Sequence, residues 1–169
     1  MADIVLNDLA DDHEPWSREA ALERLRRLAP SLPVRIPPDP EFLESFSNDA
    51  WRMGDVVLRV CWRGDRSRLI REAALAAALP AAIGFPEVLG AGESDELSWM
   101  LCRKVHGQGL GAVWFDMPDT RLRTVMADYA RVLNVLHAWS PPEPIAAMLA
   151  EHGALQPTSV EIRSIACAA

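Results

Sequence analysis

The sequence lacks the features that would direct the chain to a membrane or out of the cell. Its longest apolar stretch, residues 73–85, is broken by Pro80 and Gly84 and is too short to cross a bilayer as a helix. Residues 1–12 are acidic and contain neither the basic segment nor the continuous apolar run of a secretory signal. We therefore expect a cytoplasmic protein without a membrane partner.

Positive charge is also scarce. The chain has 24 acidic and 17 basic residues, which gives a formal net charge of −7. An acidic chain repels nucleic acid unless a local basic patch overrides the repulsion. The sequence contains no basic patch long enough to do so, and we expect no nucleic-acid partner.

Cysteine is rare, and the three cysteines form no recognisable framework. Cys61, Cys102 and Cys167 are odd in number and share no spacing typical of metal ligands. Two of them, Cys61 and Cys102, lie in apolar, strand-like runs, where buried reduced thiols are common. The pattern therefore favours buried thiols over disulfides or a metal site.

The sequence does contain enough apolar material for one packed domain. Of its 169 residues, 50% are hydrophobic and 24% are charged, as in ordinary globular proteins. The proline-rich residues 30–40 predict an extended linker. Before it, Ser17 is a suitable N-cap for an amphipathic helix whose apolar side is formed by Ala21, Leu22, Leu25 and Leu28.

Residues 41–105 predict a unit of the α+β class. A helical pattern from residue 65 to Leu79 separates the third strand from the fourth, and Gly54-Asp55 is a hairpin signal between the second and the third. The expected fold is a five-stranded antiparallel sheet with one inserted helix, preceded by the helix and linker of residues 1–40. The strand patterns occupy residues 41–46, 50–53, 56–61, 85–92 and 97–103.

Residues 106–153 predict a glycine-rich connector followed by two helices, and residues 154–169 show no clear period. The second of these helices covers about residues 144–152. The first, Pro118 to His137, has an apolar stripe that a homodimer or the folding back of the last helix would cover. The stripe consists of Leu122, Met126, Tyr129, Leu133 and Leu136.

Arg59 and Glu72 are charged residues in otherwise apolar patterns. Arg59 interrupts the third strand, and Glu72 shares a helical face with Leu69 and Ala76. A charge left unpaired in the core costs several kcal/mol, so two opposite charges on neighbouring elements are expected to pair with each other. In the alternative interpretation, both side chains reach solvent at the edge of the sheet.

Two segments resemble the start of aminoglycoside phosphotransferases, which have a kinase-like fold: residues 47–60 (SNDAWRMGDVVLRV) and residues 71–73 (REA). The resemblance implies that the chain includes a nucleotide-binding lobe. It also implies a role for each part, because kinase-like folds use this order of a polar turn, a basic strand residue and an acidic helix residue to hold ATP phosphates. The phosphates are covered by Ser47 and Asn48 and contacted by Arg59, and Arg59 is held by Glu72.

Residues 86–90 (PEVLG) and 98–107 (SWMLCRKVHG) resemble the strand pair and hinge that grip adenine in that family. The helix that ends in Leu136-His137 is similar to a family helix that closes with the same pair. The resemblance spans about residues 42–137 and rests on the order of the parts. It implies a base pocket lined by Met100, Leu101, Cys102 and Arg103.

The resemblance stops before the chemistry. The family's catalytic loop is a His-Gly-Asp type motif with a downstream Asn and a later metal-binding Asp, and none of the four histidines is followed by Gly-Asp. The closest match, His152-Gly153-Ala154, is interpreted as a helix end because Gly153 fits a C-cap. No catalytic residue or metal ligand is therefore assigned. ATP is the implied cofactor, and Mg²⁺ is expected only with the missing catalytic half.

Two functions remain open at this point. The chain supplies the nucleotide-binding lobe of an ATP-dependent phosphotransferase, which is inactive alone and acts on a small hydroxyl-bearing acceptor only in a full-length form. Alternatively, it is a stand-alone truncated kinase-like module that binds nucleotide or protein without catalysis. A third interpretation, an acidic helical interaction protein unrelated to kinases, predicts that the five strands do not form one sheet.

Overall fold

A computed structural model describes residues 17–43, 45 and 47–151 of the chain. Short 3-10 turns occupy Ala29–Ser31, Ala81–Ile83 and Trp114–Asp116. The helices are α1 (Arg18–Leu28), α2 (Arg68–Ala78), α3 (Leu110–Val113), α4 (Asp119–Ala138) and α5 (Glu143–Glu151). The strands are β1 (Glu41–Leu43), β2 (Asp49–Met53), β3 (Val56–Cys61), β4 (Val88–Ser94) and β5 (Leu97–Arg103).

The strands form a single antiparallel sheet in the order β1-β2-β3-β5-β4, with α2 inserted between β3 and β4 in the chain. The predicted α+β fold is therefore confirmed, and the interpretation as a helical protein without such a sheet is wrong. Gly54 forms the turn between β2 and β3 with φ 65°, in the left-handed region that glycine adopts without strain. The β4–β5 turn is tighter than predicted, because β4 continues to Ser94 and leaves only Asp95 and Glu96 before β5. The predicted start of the fourth strand at residue 85 is wrong, since β4 begins at Val88.

The first helix and the linker cover one face of the sheet. Ser17 caps α1 as predicted, since its Oγ accepts a hydrogen bond of 3.1 Å from the backbone N–H of Ala20. Linker residues Leu32, Val34 and Ile36 pack against the same core. The buried side chains of this core are Ala21, Leu25, Leu28, Trp51, Met53, Leu58, Val60, Trp62, Leu97, Trp99 and Leu101.

A buried ion pair joins α1 to the beginning of β2. The guanidinium of Arg24 donates to Asp49 through Nε at 2.7 Å and through Nη2 at 3.0 Å, and the two side chains are 1% and 4% exposed. Trp62 adds a hydrogen bond of 3.2 Å from its indole N–H to Asp49. Its ring lies 4.2 Å from the Arg24 guanidinium carbon, within the range of a cation–π contact. The sequence did not predict this pair.

The second helix covers the opposite face of the sheet. Its Leu69 is fully buried and packs with Met100 on β5 and with Cys61 and Cys102. Cys61 and Cys102 are buried free thiols, as predicted, whereas Cys167 lies outside the described residues. Two separate apolar clusters therefore hold the sheet, one on each face.

The later helices lie against the α2 side of the molecule. The predicted helix Pro118 to His137 is confirmed as α4, which contacts the turn Ala81–Ile83, and α5 contacts α2. No residue of α4 is buried, and on its predicted stripe Met126 is 42%, Tyr129 54% and Leu136 39% exposed. The connector, expected to be irregular, contains α3. Among the described helices, none combines the length and apolarity needed to cross a membrane.

Replacement of Arg24 by methionine tests the buried ion pair. The variant leaves the Asp49 carboxylate buried without its main partner, so we expect the free energy of unfolding to fall by about 3–5 kcal/mol. Equilibrium urea unfolding measures this loss. The matched control is Arg26→Met on the same helix, whose exposed ion pair with Glu23 should contribute less than about 1 kcal/mol. Equal effects of the two substitutions would contradict the assignment.

Replacement of Met126 by lysine tests the exposure of α4. Because Met126 is solvent-exposed, we expect the free energy of unfolding to change by less than about 0.5 kcal/mol. The reference is Leu25→Ala in the core beneath α1, which should cost about 2–5 kcal/mol in the same urea experiment. A comparable loss in Met126→Lys would show that the stripe is covered in solution.

Candidate functional site

The predicted ion pair lies on the α2 face of the sheet. Arg59 stands on β3 opposite Met100 of β5, and its Nη1 donates a hydrogen bond to Oε1 of Glu72 on α2. The pair is therefore confirmed. The two side chains are 29% and 27% exposed, so they lie at the margin of the helix–sheet contact and not deep in the core. The alternative, in which the two side chains face solvent without pairing, is wrong, although both remain partly accessible to solvent.

Cys102 lies beside this ion pair. Burial raises the pKa of the Cys102 thiol, Arg59 opposes that rise, and Glu72 adds to it. The thiol therefore stays protonated at neutral pH, and a thiol in that state is a poor nucleophile. Cys102 contributes shape and apolarity to the site.

A second guanidinium lies on the same face. In the β2–β3 register Ala50 pairs with Arg59 and Arg52 pairs with Val57, so Arg52 projects to the Arg59 side of the sheet. Its Nη2 donates to Glu41 on the neighbouring strand β1. Diagonal neighbours on antiparallel strands are about 7–8 Å apart, so Arg52 and Arg59 are neighbouring charges on this face, with Arg52 directed toward β1 and Arg59 toward α2. Strand alternation in the sequence contains this signal, because Arg52 and Ala50 lie two residues apart on β2.

Two apolar side chains lie on the same face as the two arginines. The register places Leu43 of β1 and Val57 of β3 on the α2 face, and both are half-buried. Because α2 packs over β3, β5 and β4, Leu43 lies toward the edge of the sheet farther from the helix, whereas Val57 stands on a strand that the helix contacts. The surface thus combines apolar contact area with two positive charges.

The four residues predicted to line the base pocket are divided between the two faces. Met100 and Cys102 pack under α2, whereas Leu101 is buried in the cluster beneath α1. Arg103 ends β5 and donates from Nε to Glu87 at 3.1 Å in an exposed ion pair. Successive side chains of a strand point to opposite faces, so these four side chains cannot line one pocket.

The predicted phosphate loop is tied to the start of α2. Asn48 is only 2% exposed, and its Oδ1 accepts a hydrogen bond of 2.5 Å from Nη2 of Arg68. The same Arg68 nitrogen donates to the backbone carbonyl of Ser47 at 3.1 Å, and Nδ2 of Asn48 donates to Oγ of Ser47 at 3.3 Å. The Asn48 amide is therefore bonded within the protein.

The turn that leads into α2 has its own charged network. Asp65 accepts hydrogen bonds from the backbone N–H of Ser67 at 3.1 Å and from its hydroxyl at 2.7 Å, and it forms an ion pair with Arg71. The Arg71 guanidinium and the Ser67 donors hold the pKa of Asp65 well below its usual range. The same ion pair raises the pKa of Arg71. The network fixes the start of the helix that carries Arg68 and Glu72.

Two cavities lie away from the ion pair. One of about 380 Å³ adjoins the β4–β5 turn and is lined by Arg66, Ser98 and residues 93–97. The other, of about 240 Å³, lies between the connector and the start of α4 and includes Gln108 and Arg121. Neither is lined by Arg59 or Glu72. Within the described part of the chain, no group of three His, Cys, Asp or Glu side chains is placed to hold a metal ion.

No protein-family model matches the sequence, and no curated protein is significantly similar to it.

Replacement of Asp65 by asparagine tests the network at the start of α2. A carboxylate whose pKa is lowered by folding stabilises the folded state above its ordinary pKa, and the stabilisation is lost as the pH falls. We therefore expect Asp65→Asn to lower the free energy of unfolding at pH 7, and the difference from wild type to shrink between about pH 5 and pH 2. Urea unfolding at several pH values measures this.

The companion variant Ser67→Ala removes one hydroxyl donor from Asp65 and keeps Arg71. It should give a smaller loss with the same pH dependence. A loss in Asp65→Asn that does not change with pH would contradict the electrostatic origin of the effect.

Proposed function

We propose that the chain is the nucleotide-binding lobe of an ATP-dependent phosphotransferase of the aminoglycoside phosphotransferase type. The observation that carries the proposal is the ion pair between Arg59 on the third strand and Glu72 on the inserted helix. The resemblance implies that pair at those positions. Its presence on a five-stranded antiparallel sheet with the expected inserted helix supports the assignment of ATP binding to this face.

The geometry suits a phosphate ligand. Among the described residues, Glu72 is the one side-chain partner of the Arg59 guanidinium, so the remaining N–H groups of Arg59 are available to phosphate oxygens. The Glu72 carboxylate fixes the orientation of the guanidinium in advance, which reduces the entropy lost when a ligand binds. Arg52 supplies a second charge on the same face and favours an extended polyphosphate over a single phosphate group.

The apolar surface at Leu43 and Val57 suits the base and ribose. Nucleobases bind against aliphatic side chains, while their phosphates require cations, and this face offers both types of group side by side. With the phosphates at Arg59 and Arg52, the nucleoside would lie against Leu43 and Val57, while Cys102 and Met100 remain covered by α2. The side chains of Leu101 and Arg103 point away and are not assigned to the pocket.

Catalysis is assigned to a complementary half and not to this chain. Phosphoryl transfer requires a carboxylate to orient the acceptor hydroxyl and further ligands to hold Mg²⁺ at the transferring phosphate. The resemblance places those groups in a His-Gly-Asp type loop that the sequence does not contain. Mg²⁺ and the small hydroxyl-bearing acceptor would bind only with that half. The exposed stripe of α4 would then be covered by it or by a second copy of the chain.

Nucleotide titration tests the proposal directly. Bound ATP stabilises the folded state by mass action, so a site of sub-millimolar affinity should add over about 1 kcal/mol at millimolar ATP. Thermal unfolding and isothermal titration with ATP, ADP, AMP and adenosine measure the effect. Affinity should fall along that series, because each lost phosphate removes contacts with Arg59 or Arg52. No stabilisation by millimolar ATP would refute the proposal.

Replacement of Glu72 by glutamine locates the site. The variant removes the charge that holds Arg59, so we expect the dissociation constant for ATP to rise by roughly tenfold, as for the loss of one charge-assisted hydrogen bond. Glu87→Gln is the matched control, because Glu87 also pairs with an arginine, Arg103, whose side chain points to the other face of the sheet. Equal affinities in wild type and Glu72→Gln would place nucleotide binding elsewhere.

A phosphotransfer assay separates the two forms of the proposal. The isolated chain should bind ATP without transferring phosphate to any hydroxyl. Transfer by the purified chain would show that the catalytic groups are present after all, and it would exclude a purely regulatory module.

A further inference from the structure

We propose that Arg68 is a positioning residue, which holds the loop at Ser47 and Asn48 in place over the nucleotide site. This inference rests on the proposed function and adds a residue that the resemblance does not assign. Its basis is the set of hydrogen bonds that Arg68 makes to that loop and its place on the helix that also carries Glu72.

Arg68 and Glu72 are one helical turn apart on α2. Residues at positions i and i+4 lie on the same face of a helix, so both side chains project toward the sheet. Glu72 holds Arg59 on β3, and Arg68 holds Asn48 just before β2. One helix therefore fixes both of the elements that are assigned to the phosphates.

The contact between Arg68 and Asn48 is specific. Nη2 of Arg68 donates to the Asn48 side chain at 2.5 Å and to the Ser47 carbonyl at 3.1 Å, while its Nε is buried without a hydrogen-bond partner. An unsatisfied buried donor costs free energy, yet the guanidinium keeps this orientation. The two bonds to the loop account for the orientation.

The beginning of β2 is thus fixed from both faces of the sheet. Asn48 faces α2 and is bonded by Arg68, whereas the next residue, Asp49, faces α1 and is bonded by Arg24. Alternation along the strand separates the two side chains. The loop that precedes β2 consequently leaves the sheet from a point that cannot shift toward either helix without breaking an arginine contact.

This arrangement changes the role expected of Asn48. Its amide oxygen accepts from Arg68 and its amide nitrogen donates to Ser47, so the side chain positions the loop and does not contact phosphate. The Ser47 hydroxyl accepts from Asn48 and keeps its own hydrogen as a donor to the ligand. Arg68 and Asn48 together set where that donor lies.

Four variants test the role of Arg68. Arg68→Gln removes the charge, Arg68→Lys keeps it with one donor group, Asn48→Asp keeps the acceptor, and Arg66→Gln is the control because Arg66 lies nearby in an exposed ion pair with Glu96. The dissociation constants for ATP and for adenosine are measured by isothermal titration. Amide hydrogen exchange of residues 47–49 is measured without nucleotide.

A positioning role predicts a difference between the two ligands. Arg68→Gln should raise the dissociation constant for ATP about tenfold and leave that for adenosine within about twofold, since only ATP carries the phosphates that the loop covers. Arg68→Lys should retain most of the ATP affinity, whereas Asn48→Asp, which loses the amide donor to Ser47 and adds a negative charge, should weaken the binding of ATP more than that of adenosine. Exchange at residues 47–49 should be faster in Arg68→Gln and unchanged in Arg66→Gln.

The outcomes separate this role from the proposed function. Unchanged ATP affinity and unchanged exchange in Arg68→Gln, with ATP bound normally by wild type, would overturn the positioning role alone. Equal weakening of ATP and adenosine would show a general structural role and overturn it as well. Failure of the wild type to bind ATP would overturn the proposed function and this role together.

Discussion

The buried ion pair between Arg24 and Asp49 is the interaction on which the rest of the structure depends. It connects the first helix to the second strand and is closed off from solvent by Trp62. Because neither charge can be left alone in the core, α1 has essentially one position on the sheet. That position leaves the opposite face to α2, which carries Glu72 to Arg59. The site thus forms because α1 occupies one face of the sheet and α2 the other.

The two faces of the sheet differ in what they contribute to the protein. The α1 face holds most of the large buried apolar side chains, so it provides stability. The α2 face has a smaller cluster and a margin where Arg59, Glu72 and Arg52 remain partly accessible. Charged groups at such a margin keep the ability to bind a ligand, which full burial would remove. Stability and binding are therefore supplied by opposite sides of the same strands.

Much of this fold could be predicted from the sequence, because its signals are local. Alternation and turn residues located the five strands, and helical periodicity located α1, α2 and α4. The ion pair of Arg59 and Glu72 was predictable since each charge stood out against an apolar pattern. Arg24 was missed because arginine on a helix is normally solvent-exposed, and its partner lies 25 residues away. The prediction of one base pocket failed because Met100 and Leu101 lie on opposite faces of the sheet. Four consecutive residues of one strand cannot all line the same pocket.

The packing of the linker has a consequence for the size of the folding unit. Leu32, Val34 and Ile36 pack against the core that contains Trp51 and Trp99, although they belong to no helix or strand. A fragment that began at β1 would expose both indole rings and the Asp49 carboxylate on a bare sheet face. The smallest fragment that folds on its own must therefore begin at or before Ser17. The helix α1 and the linker that precede the sheet are part of the folded domain.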